Sequence, residues 1–87
     1  MHELSIAMSL VDCVCEELPR VGPDTQLVAV RIRVGALSGV VREALSFAFD
    51  VAASESPLAG VALDIEDTPG TELELIGLEV LDGHAHR

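Results

Sequence analysis

Leu27-Val28-Ala29-Val30-Arg31-Ile32-Arg33-Val34 is the stretch on which the fold turns. Val28, Val30, Ile32 and Val34 alternate with Ala29, Arg31 and Arg33, a period of two that puts β-branched side chains on one side of a pleated strand and guanidinium groups on the other. The predicted strand therefore has one dry face and one wet face. Upstream the period is different. Leu4, Ala7, Met8, Val11, Val14, Cys15 and Leu18 recur at intervals of three and four, the apolar stripe of a helix of about 15 residues. Pro19 ends it, and Val21-Gly22-Pro23-Asp24 supplies the connecting turn.

Downstream, residues 35–39 interrupt the alternation and Ser38 is placed to cap a new helix. Val41, Ala44, Leu45, Ala48, Phe49 and Ala52 then carry helical spacing over roughly 41–53. Ser56-Pro57 and Gly60 close that segment, after which Val61, Leu63 and Ile65 alternate with Ala62, Asp64 and Glu66 as a second half-buried strand. Asp67-Thr68-Pro69-Gly70 has the Pro-Gly pair of a type II turn. Beyond it Leu73 and Leu75 alternate with Glu72 and Glu74, whereas Leu78 and Val80 alternate with Glu79 in the opposite parity. A bulge near Ile76-Gly77 would reconcile the two runs.

Helix, strand, helix, strand, strand is the order of an α+β domain with two helices packed on one face of a three-stranded sheet. The sheet is expected to be mixed: the helix-bearing connection lets the first two strands pair in parallel, and the short turn makes the last two antiparallel. On the wet face Arg31 and Arg33 are expected to meet Asp64, Glu66, Glu72 and Glu74. One domain accounts for residues 1–87, with no internal repeat.

A chain of 87 residues buries only about 60% of its unfolded surface, so a partner or a homo-oligomer would help it. Fifteen acidic residues against five Arg and no Lys give a net charge of −10, which repels phosphate backbones and acidic lipid surfaces. Nucleic acid and membrane are thereby disfavoured, and a cation or a protein with a basic face is favoured. With no apolar run near the ~20 residues of a membrane span and no basic signal region, the chain reads as cytoplasmic. Cys13 and Cys15 diverge on a helix and are expected to be buried or half-buried thiols rather than a metal or disulfide pair. Ser5, Ser9 and Ser38 have no relay of His and Asp beside them, so nothing supports an enzyme. Asp50 reads as a solvated charge.

The chemistry lies at the start. Met1-His2-Glu3 puts an α-amine, an imidazole and a carboxylate within one chelating reach, a nitrogen-rich donor set suited to Ni(II) or Cu(II) rather than Mg(II) or Ca(II). The plainer reading makes His2 and Glu3 a polar lead-in, with Glu3 favoured near the positive end of the helix dipole. Protons compete with a metal for amine and imidazole, so binding should weaken as the pH falls. His84 and His86 form a second, weaker metal candidate in the tail.

Three stretches together resemble the HypA family of hydrogenase maturation proteins: residues 1–7 (Met-His-Glu-Leu-Ser-Ile-Ala), residues 30–38 (Val-Arg-Ile-Arg-Val-Gly-Ala-Leu-Ser) and residues 43–50 (Glu-Ala-Leu-Ser-Phe-Ala-Phe-Asp). Glu72 to Leu75 with Leu78 to Val80 is similar to the family's final strand. The resemblance implies a nickel metallochaperone that carries Ni(II) at its N-terminus and helps pass it to the large subunit of a [NiFe] hydrogenase, together with a HypB-type GTPase. In some organisms the family also serves urease. The implied ligands are the Met1 amine, the imidazole and backbone nitrogen of His2, and Glu3 through its backbone nitrogen or its carboxylate. Family members carry a zinc module, held by two Cys-x-x-Cys pairs, between the second and third strands. Here a short turn at 67–71 stands in that place and no zinc is expected. The rival expectation is a metal-free α+β interaction module that docks by a sheet edge or by self-association.

Overall fold

The computed structural model describes residues 2–22 and 24–82, Asp82 by its backbone alone. Helix α1 spans Glu3–Glu17 and runs on into a 3₁₀ turn, Leu18–Arg20, where Pro19 supplies no amide to continue the ladder. Ala7, Val11 and Val14 are its buried stripe. Strand β1 spans Thr25–Gly35, helix α2 Arg42–Ser54, strand β2 Ala62–Thr68 and strand β3 Leu73–Asp82. The chain is thus the expected α+β arrangement, two helices against a mixed three-stranded sheet.

The strand order corrects one expectation. β1 is central, in the order β2-β1-β3, parallel to β2 from Ala29↔Ala62 to Gly35↔Thr68 and antiparallel to β3. The last two strands do not pair with each other. Residues 69–72 must instead cross the end of β1 between strands on opposite sides of it, about 9.6 Å apart at two strand spacings, well within the ~16 Å that the five steps from Thr68 to Leu73 reach when extended. The crossing is tight. A Cβ at Gly35 would collide with the carbonyl group of Gly70 and lie 2.7 Å from the Glu72 nitrogen. It is fastened by Gly35 N–H donating to Glu72 C=O (2.7 Å), Ala36 N–H to Thr68 C=O (2.8 Å) and Leu37 N–H to Gly70 C=O (2.8 Å). Pro69-Gly70 accordingly makes no type II turn: Gly70 is not among the glycines with positive φ, and its carbonyl accepts Leu37 N–H.

Register explains which residues reach the core. β3 slips by one residue at Ile76, between Arg31↔Gly77 and Ile32↔Leu75, where the parity change demanded a bulge. A second shift at Val28, between Leu27↔Val80 and Ala29↔Glu79, was not expected. As a result Leu27, not Val28, packs on the core beside Val30, Ile32 and Val34. Phe49, Leu45, Leu58, Ile32, Val14 and Val30 are fully buried, each such side chain stabilising the fold by about 1.5–3 kcal/mol. Cys15 packs against this core, but Cys13 is exposed, contrary to the expectation of two sheltered thiols.

On the wet face the central strand carries the cations and both flanking strands the anions. Arg31 lies 4.0 Å from Asp64 and 3.6 Å from Glu79, and Arg33 lies 3.5 Å from Glu66 and 3.6 Å from Glu74. Glu72 makes no ion pair with either arginine. Its Oε1 accepts the Thr68 hydroxyl at 2.7 Å inside the crossing, which lowers the Glu72 carboxyl below its ordinary pKa.

Candidate metal centre

The N-termini of both helices lie at one pole of the molecule, together with the C-terminal ends of β1 and β2 and the crossing 69–72. The chain alternates helix and strand, so every α-to-β connection sits at the other pole and residues 36–41 return at this one. Ser38 does not cap α2. Its Oγ accepts Val40 N–H at 3.2 Å inside the loop, and the N-cap is Val41, extended (φ −88°, ψ 116°) and unable to accept a bond through its side chain. The carboxylate at this helix start comes from the other helix: Glu3 Oε2 accepts Val41 N–H at 2.9 Å, across 38 positions of sequence. In a capping box that amide would be met by an acidic residue three places on, but Ala44 stands there. The bond from Val41, followed by one from Glu3's own amide, lowers the Glu3 carboxyl below its ordinary 4.5.

α1 itself begins openly. His2 is its N-cap (φ −91°, ψ 85°), makes no side-chain cap bond and is exposed. The first helical bond among the described residues runs from Ile6 N–H to His2 C=O at 3.1 Å, so the amides of His2 and Glu3 precede the ladder and have no helical carbonyl to meet. Among the described residues no three side chains of His, Cys, Asp or Glu gather into a cluster able to hold a metal ion. Of the three sequence-predicted ligands, the structure places His2 and Glu3 side by side at the open helix start but turns the Glu3 carboxylate toward α2. Met1, His84 and His86 lie outside the described residues.

Sequence reasoning did not foresee the Glu3–Val41 bond. The signal was present in a negative form: an α2 start with no acid or hydroxyl at Val41 or Ala44 needs a partner from elsewhere. Arg42 reinforces the same end by pairing with Asp67 at 3.3 Å.

The family model described as hydrogenase/urease nickel incorporation, metallochaperone, HypA matches residues 1–73. A protein named hydrogenase maturation factor HypA from Solidesulfovibrio magneticus is 51% identical over 69 residues, which are 79% of this chain and 58% of that protein. One of the same name from Chloroflexus aurantiacus is 48% identical over 69 residues, covering 79% of this chain and 60% of its own length. The chain thus spans about 58–60% of the length of these relatives. The solution structure of the Ni metallochaperone HypA from Helicobacter pylori superposes with a TM-score of 0.72 at 24% identity, over 94% of this chain and 99% of that one, and so shares the fold.

Proposed function

The chain belongs to the HypA family, and on that footing we propose that it is a nickel metallochaperone, binding Ni(II) as cargo at its N-terminus and assisting nickel insertion into [NiFe] hydrogenase. The ligands in this reading are the Met1 amine, the imidazole and backbone nitrogen of His2, and the backbone nitrogen of Glu3 rather than its carboxylate. The observation that carries the choice is the Glu3–Val41 bond: the carboxylate is engaged at 2.9 Å, while the amides of His2 and Glu3 precede the first helical bond and meet no helical carbonyl. Planar nitrogen ligation suits Ni(II), and a cation held at an exposed chain end by few donors exchanges readily, as delivery requires and catalysis does not. Copper binds the same donors more tightly, so selection would rest on metal supply and partners. Those partners, by family, are a HypB-type GTPase and the hydrogenase large subunit. No enzyme chemistry is invoked. The crossing 69–72 replaces the family's zinc module, and residues 1–87 act as a single nickel-binding domain without zinc.

The test is calorimetric titration of Ni(II) into the unextended chain and into two variants. The unaltered chain should bind one equivalent, His2→Ala should bind it on the order of 100-fold more weakly, and Glu3→Gln should keep the unaltered affinity. Unaltered affinity in His2→Ala would overturn the site. Loss by Glu3→Gln equal to that of His2→Ala would return the Glu3 carboxylate to the ligand set.

A further inference from the structure

With their N-termini joined through Glu3 and Val41, α1 and α2 lie side by side, and the valley between their solvent sides is a groove of about 410 Å³. Leu4, Met8, Val51 and Ala52 line it with Asp12 and Glu55. Three of these are large apolar residues left half in water: Leu4 is 50% exposed, Met8 54% and Val51 48%. Phe47, one helical turn before Val51, is 72% exposed. Single exposed apolar side chains are ordinary on a protein surface, but Leu4, Met8 and Val51 line one valley.

The charged residues that line the groove, Asp12 and Glu55, are both acidic, and the helix surfaces around them carry the same sign. α1 contains no basic residue, and its Asp12 and Glu16 make no ion pair among the described residues. The same holds for Asp50 on α2 and for Glu55 just after it, while the one cation of α2, Arg42, is turned to Asp67 at the far side of the helix start. An apolar floor between unpaired acids calls for an occupant with apolar residues on one face and Lys or Arg on both flanks.

We propose that this groove docks a basic amphipathic helix of a partner protein. Apolar residues of that helix at i, i+3 or i+4 spacing fill the valley over Leu4, Met8 and Val51, and its flanking cations meet Asp12 and Glu55. From Leu4 to Asp12 the floor extends about 12 Å, a little over two helical turns, which sets the footprint of the occupant. Charge decides against a second copy of this chain, because a symmetric contact would bring Asp12 and Glu55 against their own equivalents on a protein of net charge −10. The groove opens at Leu4, two residues from His2, so a partner seated in it lies against the proposed nickel-bearing end. The docking itself does not depend on nickel.

The experiment uses the full chain with chelator present, so that its outcome is separate from that of metal binding. The probe is a synthetic helical peptide of about 14 residues, four turns, with Leu on one face and Lys on the flanks; the control has the same composition with its Leu scattered. The amphipathic peptide should bind about tenfold more tightly than the scattered one, a difference of about 1.4 kcal/mol. It should shift the backbone amide resonances of Leu4, Met8, Val51 and Ala52, and the double variant Met8→Ser, Val51→Ser should lose that preference while its circular dichroism stays unchanged. Equal affinity for the two peptides, shifts confined to the outer face of the sheet, or an unaltered preference in the double variant would overturn the proposal. So would sedimentation showing that the chain dimerises and that the same double variant makes it monomeric, since a second copy would then be the occupant.

Discussion

α1 and α2 each begin on a residue whose side chain caps nothing, His2 in one case and Val41 in the other, yet one start is closed and the other stays open. The α2 start is closed from a distance: Glu3 reaches across 38 positions to take the Val41 amide, and Arg42 ties the same turn to Asp67. The α1 start is left with the amides of His2 and Glu3 ahead of the ladder and an imidazole in solvent. The Glu3 carboxylate accepts the Val41 amide and its own amide together, so one side chain bridges the two helix starts. On the proposed ligand set, structural and ligating roles would divide within this single residue, carboxylate for one and amide for the other.

The strongest way to break this contrast is to block the open end. Acetylating the α-amine or adding residues ahead of Met1 should abolish stoichiometric nickel binding in a calorimetric titration, while the melting temperature without metal stays as it was; nickel retained by a blocked chain would mean that the open start is not the site. His2→Ala leaves the amine but removes the imidazole, and should weaken nickel by on the order of 100-fold, about 2.8 kcal/mol, in the same titration. Both effects belong to the α1 start alone.

The closed start is attacked through the loop that presents it. Gly35→Ala places a methyl group where the Gly70 carbonyl now lies and should force residues 36–41 and 69–72 apart, costing about 2 kcal/mol in the manner of overpacked sites. In a domain of this size that is a fall of roughly 8–16 °C in Tm. Nickel affinity should change far less than stability, since α1 keeps its open end; a parallel loss of both would show that the two starts are coupled.

Glu3→Gln sharpens the division within one residue. The folded chain holds the Glu3 carboxyl below its ordinary 4.5, so the stabilisation from its charge is complete above about that pH and is lost as the pH falls through the lowered value. The variant should melt earlier than the unaltered chain at pH 7, and the two melting curves should converge in acid, while nickel titrations of the two agree. The smallest effect is expected furthest from both helix starts. Arg33→Ala on the wet face removes exposed pairs with Glu66 and Glu74 and should cost about 0–1 kcal/mol, less as salt is added, with nickel binding untouched.

The features legible in the sequence were those written in local periods. The stripe through Ala7, Val11 and Val14 is the buried side of α1, and Val30, Ile32 and Val34 are the buried side of β1, because a side chain's face follows from its spacing once the period is known. The parity change after Leu75 announced the slip at Ile76 for the same reason. No such signal marked the slip at Val28, since an apolar residue on either side of it leaves the pattern of Leu27 to Val30 readable in both registers. At the candidate site the residue types of Met1-His2-Glu3 suggested the metal, but the use of the Glu3 carboxylate was hidden, and so was the exposure of Leu4 and Met8, which belong to the apolar stripe read for α1.

By itself the chain's order of residues determined the number and kind of elements, the side each strand turns inward and the donor-rich start, all consequences of neighbours within a few positions of one another. Tertiary structure alone decided that β1 is the middle strand, that residues 69–72 bridge over Gly35 instead of turning a hairpin, and that Glu3 caps a helix beginning 38 positions away. The physical reason is common to all three. Each depends on two distant segments meeting in space, where an unpaired strand edge or helix amide accepts any partner that packing brings within reach, and no local period records which one that will be.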